Sequence, residues 1–177
     1  RFVVAVRELH HPDREPTNDL VAIATDGSME ICELWSGSDF VASPRLSPDG
    51  TRLVWVAWDH PNMPWDATRL LVAPFADGVL GDIELEFGNG AEAWVEPGWG
   101  PDGTLYACSD RHEWWNLGSV SADTGFAPVI VGPFEIPTPS WVFGMQRWAI
   151  TPEHTVAAVG LPTGDELLID GRTVSMP

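Results

Sequence analysis

Two stretches, "WDHPNMPWD" (Trp58–Asp66) and "SDRHEWWN" (Ser109–Asn116), gather carboxylates, imidazoles and indoles at close spacing. The chemistry to test for is metal binding or nucleophilic catalysis. Neither has its pattern. His10 and His11 are adjacent, which on a strand points them to opposite faces, while His60, His112 and His154 are scattered. Solvated loop histidines are therefore favoured over a ligand set, and no metal or cofactor is expected. Ser109 and Ser121 lack any motif that would pair them with a base, and no Gly-x-Ser-x-Gly occurs. The chain by itself is not expected to be an enzyme.

The composition limits what elements can hold these residues. At 44% apolar and 20% charged, the 177 residues suit a folded domain or a piece of a larger one. Seventeen Gly and sixteen Pro, spread along the length, imply frequent turns and leave little room for long helices. Ten Trp, mostly in or beside short apolar runs, fit many short strands. A formal charge of −17 repels phosphate backbones and anionic lipid, so neither nucleic acid nor a membrane is expected as partner. No stretch approaches the ~20 apolar residues of a membrane-spanning helix. Cys32 and Cys108 lie in apolar runs and read as buried free thiols, in keeping with a cytoplasmic protein.

Internal repeats set the architecture. "SPRLSPDGTRLVWVAWD" (Ser43–Asp59) matches "EPGWGPDGTLYACSD" (Glu96–Asp110) and, more faintly, "QRWAITPEHTVAAVG" (Gln146–Gly160). Pro48, Pro101 and Pro152 mark a period of 53 and then 51 residues. Pro presets φ, Asp bonds the backbone two residues on, and Gly takes positive φ, so Pro-Asp-Gly reads as a hairpin turn. His154 stands in the Gly position of the third copy, where a strained turn or one of another type is expected. Four antiparallel strands every ~50 residues define a β-propeller blade. A middle strand covered on both faces explains "LVWVAW" (Leu53–Trp58), apolar at every position. The same logic places Trp114 and Trp115 in one strand, with cover expected for each. The expected fold is all-β: a partial propeller of about four blades, at 1–39, 40–92, 93–145 and 146–177. The first blade lacks its innermost strand, and that start suggests a fragment.

On "SPRLSPDGTRLVWVAWDHPNMPWDATRLLVA" and "SDRHEWWNLG", the chain resembles the N-terminal propeller of bacterial prolyl oligopeptidase-family serine peptidases of the dipeptidyl aminopeptidase and acylaminoacyl peptidase type. The resemblance implies a partner α/β-hydrolase domain bearing a Ser-Asp-His triad, which this chain does not contain. It also implies that one propeller face covers that active site and filters substrates by size. Asp59, His60, Trp65, Asp66, Arg111, His112 and Glu113 are the residues assigned to that face. The blander reading leaves Asp59, Asp110 and Arg111 as strand-end caps and the Trp as packing. Some relatives hold the peptide α-amino group with propeller carboxylates, and Glu113 is the first residue to test for that role. Expected partners are thus the hydrolase domain, short peptides and a second copy of the chain, since a partial ring leaves open edges. The alternative is a stand-alone TolB-like propeller that binds a protein or other ligand.

Overall fold

A computed structural model of the chain describes residues 1–88, 90–140 and 142–174. The period-two apolar runs form strands, and the Gly- and Pro-rich breaks between them form turns. All pairings are antiparallel. The first sheet has three strands, β1 (Phe2–Leu9), β2 (Thr17–Ala24) and β3 (Ile31–Trp35), in that order. The second holds β4 (Phe40–Leu46), β5 (Arg52–Trp58) and β6 (Arg69–Ala76), with β7 (Val79–Leu80) and β8 (Leu85–Phe87) both paired to β6. The third runs β9 (Trp94–Trp99), β10 (Leu105–Ser109), β11 (Asn116–Ser121) and β12 (Gly125–Ile130). The fourth runs β13 (Trp148–Ile150), β14 (Thr155–Leu161), β15 (Gly164–Ile169) and β16 (Arg172–Val174). This is a partial β-propeller whose first blade is one strand short, as the repeat implies.

Strand alternation builds the core between blades. On β5, Leu53, Trp55 and Ala57 pack with Leu20, Ala22 and Phe75 between the first and second sheets. The intervening Val54, Val56 and Trp58 face the third sheet, against Trp94, Leu105, Ala107 and Phe126. β10 repeats the pattern: Cys108 turns the other way, to meet Trp148, Ala157 and Val159 of the fourth sheet. β5 is therefore apolar from Leu53 to Trp58 because both of its faces are interior. Two indoles stitch consecutive inner strands: Trp99 Nε1 donates to Arg45 O and Trp148 Nε1 to Glu96 O, each at 3.0 Å.

The Pro-Asp-Gly turns lie at one end of the blades. Asp49 Oδ1 accepts the Thr51 N–H at 3.0 Å, and Asp102 Oδ1 accepts that of Thr104 at 3.0 Å. Gly50 and Gly103 take φ of +72° and +82°. The third turn is of another type. Thr151 N–H donates directly to His154 O at 2.8 Å, Thr151 Oγ1 accepts the His154 N–H, and His154 does not adopt positive φ. The tighter loop removes the need for glycine.

Trp114 and Trp115 depart from expectation. β11 begins at Asn116, so both indoles lie in the preceding loop. Trp115 is buried between the third and fourth sheets, whereas Trp114 is 39% exposed. Alternation of faces does not govern residues outside the ladder, so only one of the two finds cover.

Candidate functional site

The end opposite the Pro-Asp-Gly turns carries the β5–β6 connection (59–68) and the β10–β11 connection (110–115). The segment that leads into β9 ties them together. Thr68 N–H donates to Glu92 O at 3.0 Å, and Thr68 Oγ1 both donates to Trp94 O and accepts the Trp94 N–H. From the other side, Asp110 Oδ1 accepts the Ala93 N–H at 2.8 Å. Burial pushes the Asp110 carboxyl above its usual range, against the lowering effect of that bond. Trp65 leans on the apolar cluster that contains Trp115, so the two connections also share packing.

The exposed side chains of the first connection are held through the backbone. Asp59 Oδ1 accepts the Asp39 N–H, and Asp39 Oδ2 in return accepts the His60 N–H, each at 2.9 Å. The Arg69 guanidinium lies 3.5 Å from Asp59 Oδ2. The His60 ring sits edge-on to Phe40, at 4.9 Å between centroids. Asp66 Oδ2 accepts the Met63 N–H at 2.9 Å and closes its own turn. Asp59 borders two openings: a cleft of about 550 Å³ shared with Asp19, Glu33 and Asp39, and one of about 170 Å³ shared with Trp58, Thr68 and Arg69.

In the second connection, Arg111 is a clamp and not a free cation. Its Nε and Nη2 reach Glu92 Oε1 and Oε2 at 2.8 and 3.0 Å, and its guanidinium lies over the Trp94 and Phe126 rings. The bond to Glu92 raises the Arg111 pKa further and keeps it charged. His112 is exposed beside Phe126, with centroids 6.2 Å apart. Glu113 is exposed at φ +78°, and its N–H donates to Asp110 O. Among the described residues, no hydrogen bond or ion pair engages the Glu113 carboxylate. Asp59 and His60 are thus joined to each other through Asp39, and Arg111 to Glu113 through one turn. Trp65 bridges toward the second group. Asp66 serves its own loop.

Sequence reasoning missed Glu92 and Glu135. Glu92 is buried and also accepts the Ser109 hydroxyl at 2.5 Å. Glu135, in the β12–β13 connection, accepts the Trp115 N–H at 2.7 Å. An acidic residue just before the inner strand of a blade is the weak signal that marks Glu92; nothing local marks Glu135.

Fold and loop end together define a β-propeller segment of the type that prolyl oligopeptidase-family peptidases carry at their N-terminus, and the resemblance seen in the sequence holds. A variant of puromycin hydrolase solved in complex with PGG is 32% identical, with a TM-score of 0.86 over 98% of this chain. A puromycin-hydrolyzing peptidase of Mycobacterium tuberculosis is 28% identical, with a TM-score of 0.79 over 91%. Prolyl oligopeptidase B of Galerina marginata, at 11% identity and a TM-score of 0.63, shares the fold. The chain spans 28% and 26% of the length of the first two. In these neighbours the propeller packs onto a hydrolase domain. No protein-family model and no curated protein sequence matches the chain.

Proposed function

We propose that this chain is the noncatalytic propeller segment of a serine peptidase, admitting short peptides and orienting their free N-termini toward a hydrolase domain outside the 177 residues. One observation carries the reading: the β5–β6 and β10–β11 connections are bonded into a single end that presents Asp59, Asp66 and Glu113 as exposed carboxylates. A carboxylate beside low-dielectric walls attracts an ammonium more strongly than one in open water. Similarity over 98% of the chain to a puromycin hydrolase solved with PGG supports a small ligand of that kind. The outer sheet faces of the first and fourth blades expose Val3, Ile31 and Val174, which supports self-association of the isolated chain.

The test is NMR titration of the purified chain with a short peptide. Shifts confined to 59–68 and 110–115 are expected, with no hydrolysis of an aminoacyl-nitroanilide. Shifts confined to the Pro-Asp-Gly end, or turnover resistant to serine-directed inhibitors, contradict the reading. Sedimentation at high concentration checks association, and a single monomeric species throughout removes that part.

A further inference from the structure

We infer that two copies of this chain stack head to tail, the fourth sheet of each on the first sheet of the other, and close one ring; the inference rests on the self-association proposed above. The occupant follows from the seams the chain already contains, in each of which one blade offers a forward face that the next blade covers. Val54 and Val56 of β5 do so, with Val72 and Leu70 of β6 beside them, and the third sheet covers all four. In the repeat, Thr155 aligns with Thr51, so β14 corresponds to β5. Ala157 and Val159 point back toward the third sheet, as Leu53 and Trp55 point back toward the first. Strand alternation then turns Val156 and Ala158 forward. Their cross-strand partners Ile169 and Leu167 share that face, as does Val174 opposite Leu167.

The first sheet supplies the matching surface. Phe2, Val4, Leu20, Ala22 and Cys32 lie toward the second sheet. The intervening Val3, Ala5, Val21, Ile23 and Ile31 share the backward face, through the pairs Val3–Ile23, Ala5–Val21 and Ile23–Ile31. Val3 and Ile31 are each 53% exposed. None of the residues on these two outer faces belongs to the three apolar clusters within the chain. A forward face fits a backward face by the packing already present between successive sheets; two like faces have no such precedent. The ions are matched as well, since Arg7 is paired with Asp19 and Glu33 on the first sheet and Arg147 with Asp165 on the fourth. Head-to-tail contacts give a closed ring or an open filament. With four sheets per copy, closure comes at two copies, at the upper end of the roughly four to eight blades that propellers use. A charge of −17 per copy opposes the contact, so screening by salt favours it.

Sedimentation of the 177-residue chain over a range of concentration and salt, with Val3→Lys and Val156→Asp as variants, tests the ring. The unaltered chain is expected to form a single two-copy species whose share rises with salt. A substitution enters both seams of a ring, so either variant alone should raise the dissociation constant at least about a hundredfold, through burial of an unpaired charge. An equimolar mixture of the two variants should associate again. One of its seams is unaltered, and in the other the introduced ammonium meets the introduced carboxylate. A chain that stays monomeric under every condition overturns self-association and the ring together. Association that survives both variants, a mixture that stays monomeric, or a ladder of larger species overturns the head-to-tail ring alone. Should Val156→Asp fail to fold, Val174→Asp, at an exposed position of the same face, takes its place.

Discussion

Glu96 Oε2 accepts the Arg147 N–H at 2.8 Å, joining the inner strand of the third blade to the start of the fourth. Its partner oxygen, Oε1, is buried without a hydrogen bond among the described residues. Burial pushes the Glu96 carboxyl above its ordinary value, and the backbone N–H groups of Arg147 and Thr138, with the nearby Arg147 and Arg45 charges, only partly oppose this. A carboxyl raised in the folded state favours folding in its protonated form. That contribution is complete below the unfolded value near 4.5 and is lost as pH rises through the raised value. Glu96→Gln is therefore expected to gain stability relative to the unaltered chain between mild acid and pH 8, read from denaturation midpoints at each pH. A constant or opposite difference contradicts the assignment.

Asp49 shows the opposite sign. The Ser47 hydroxyl, then the Thr51 N–H and hydroxyl, lower its carboxyl from 3.8 to about 2. Stability from this turn is present above 3.8 and is lost as pH falls toward 2. Asp49→Asn should flatten the acid limb of the stability curve in that window, and an unchanged limb would remove Asp49 as a contributor.

The adjacent-blade contacts make a sharp contrast between indoles. Trp55 is fully buried, with the Trp35 ring at 5.4 Å, so Trp55→Ala should cost about 3–5 kcal/mol in urea denaturation. Trp114→Ala, at an exposed position, should stay within about 0.5 kcal/mol. Comparable losses at both would mean that Trp114 is covered after all.

Glycines separate conformational from steric need. A Cβ at Gly103 would meet nothing within 4 Å, so Gly103→Ala carries only the cost of φ +82°, about 1–2 kcal/mol. At Gly118 a Cβ would fall 2.4 Å from the Phe126 ring and 2.8 Å from Ala127 O. Gly118→Ala should be the more damaging, and equal midpoints in chemical denaturation would contradict that ranking.

Much of the blade was legible in the chain because its signals are local. Pro48-Asp49-Gly50 and Pro101-Asp102-Gly103 specify turns through φ and through bonds two residues long. "LVWVAW" reports two buried faces because side chains alternate along a strand. The candidate loops were legible as loops for the same reason: strands before and after bracket them.

Their internal order was not. Glu92 meets Arg111 across 19 residues, and Glu96 meets Arg147 across 51. No local pattern encodes which carboxylate a guanidinium or amide reaches once blades have closed on one another. Nor did the pair Trp114–Trp115 reveal which indole would be covered, since Trp115 packs with residues of the fourth blade and its backbone N–H meets Glu135, both distant in the chain. By itself the sequence determined strands, turns and the repeat, whose physics acts over a few residues. Tertiary structure alone decided which acidic groups are spent inside the fold, such as Glu92 and Glu96, and which, such as Glu113, stay exposed, because burial and ion pairing are set by residues distant in the chain.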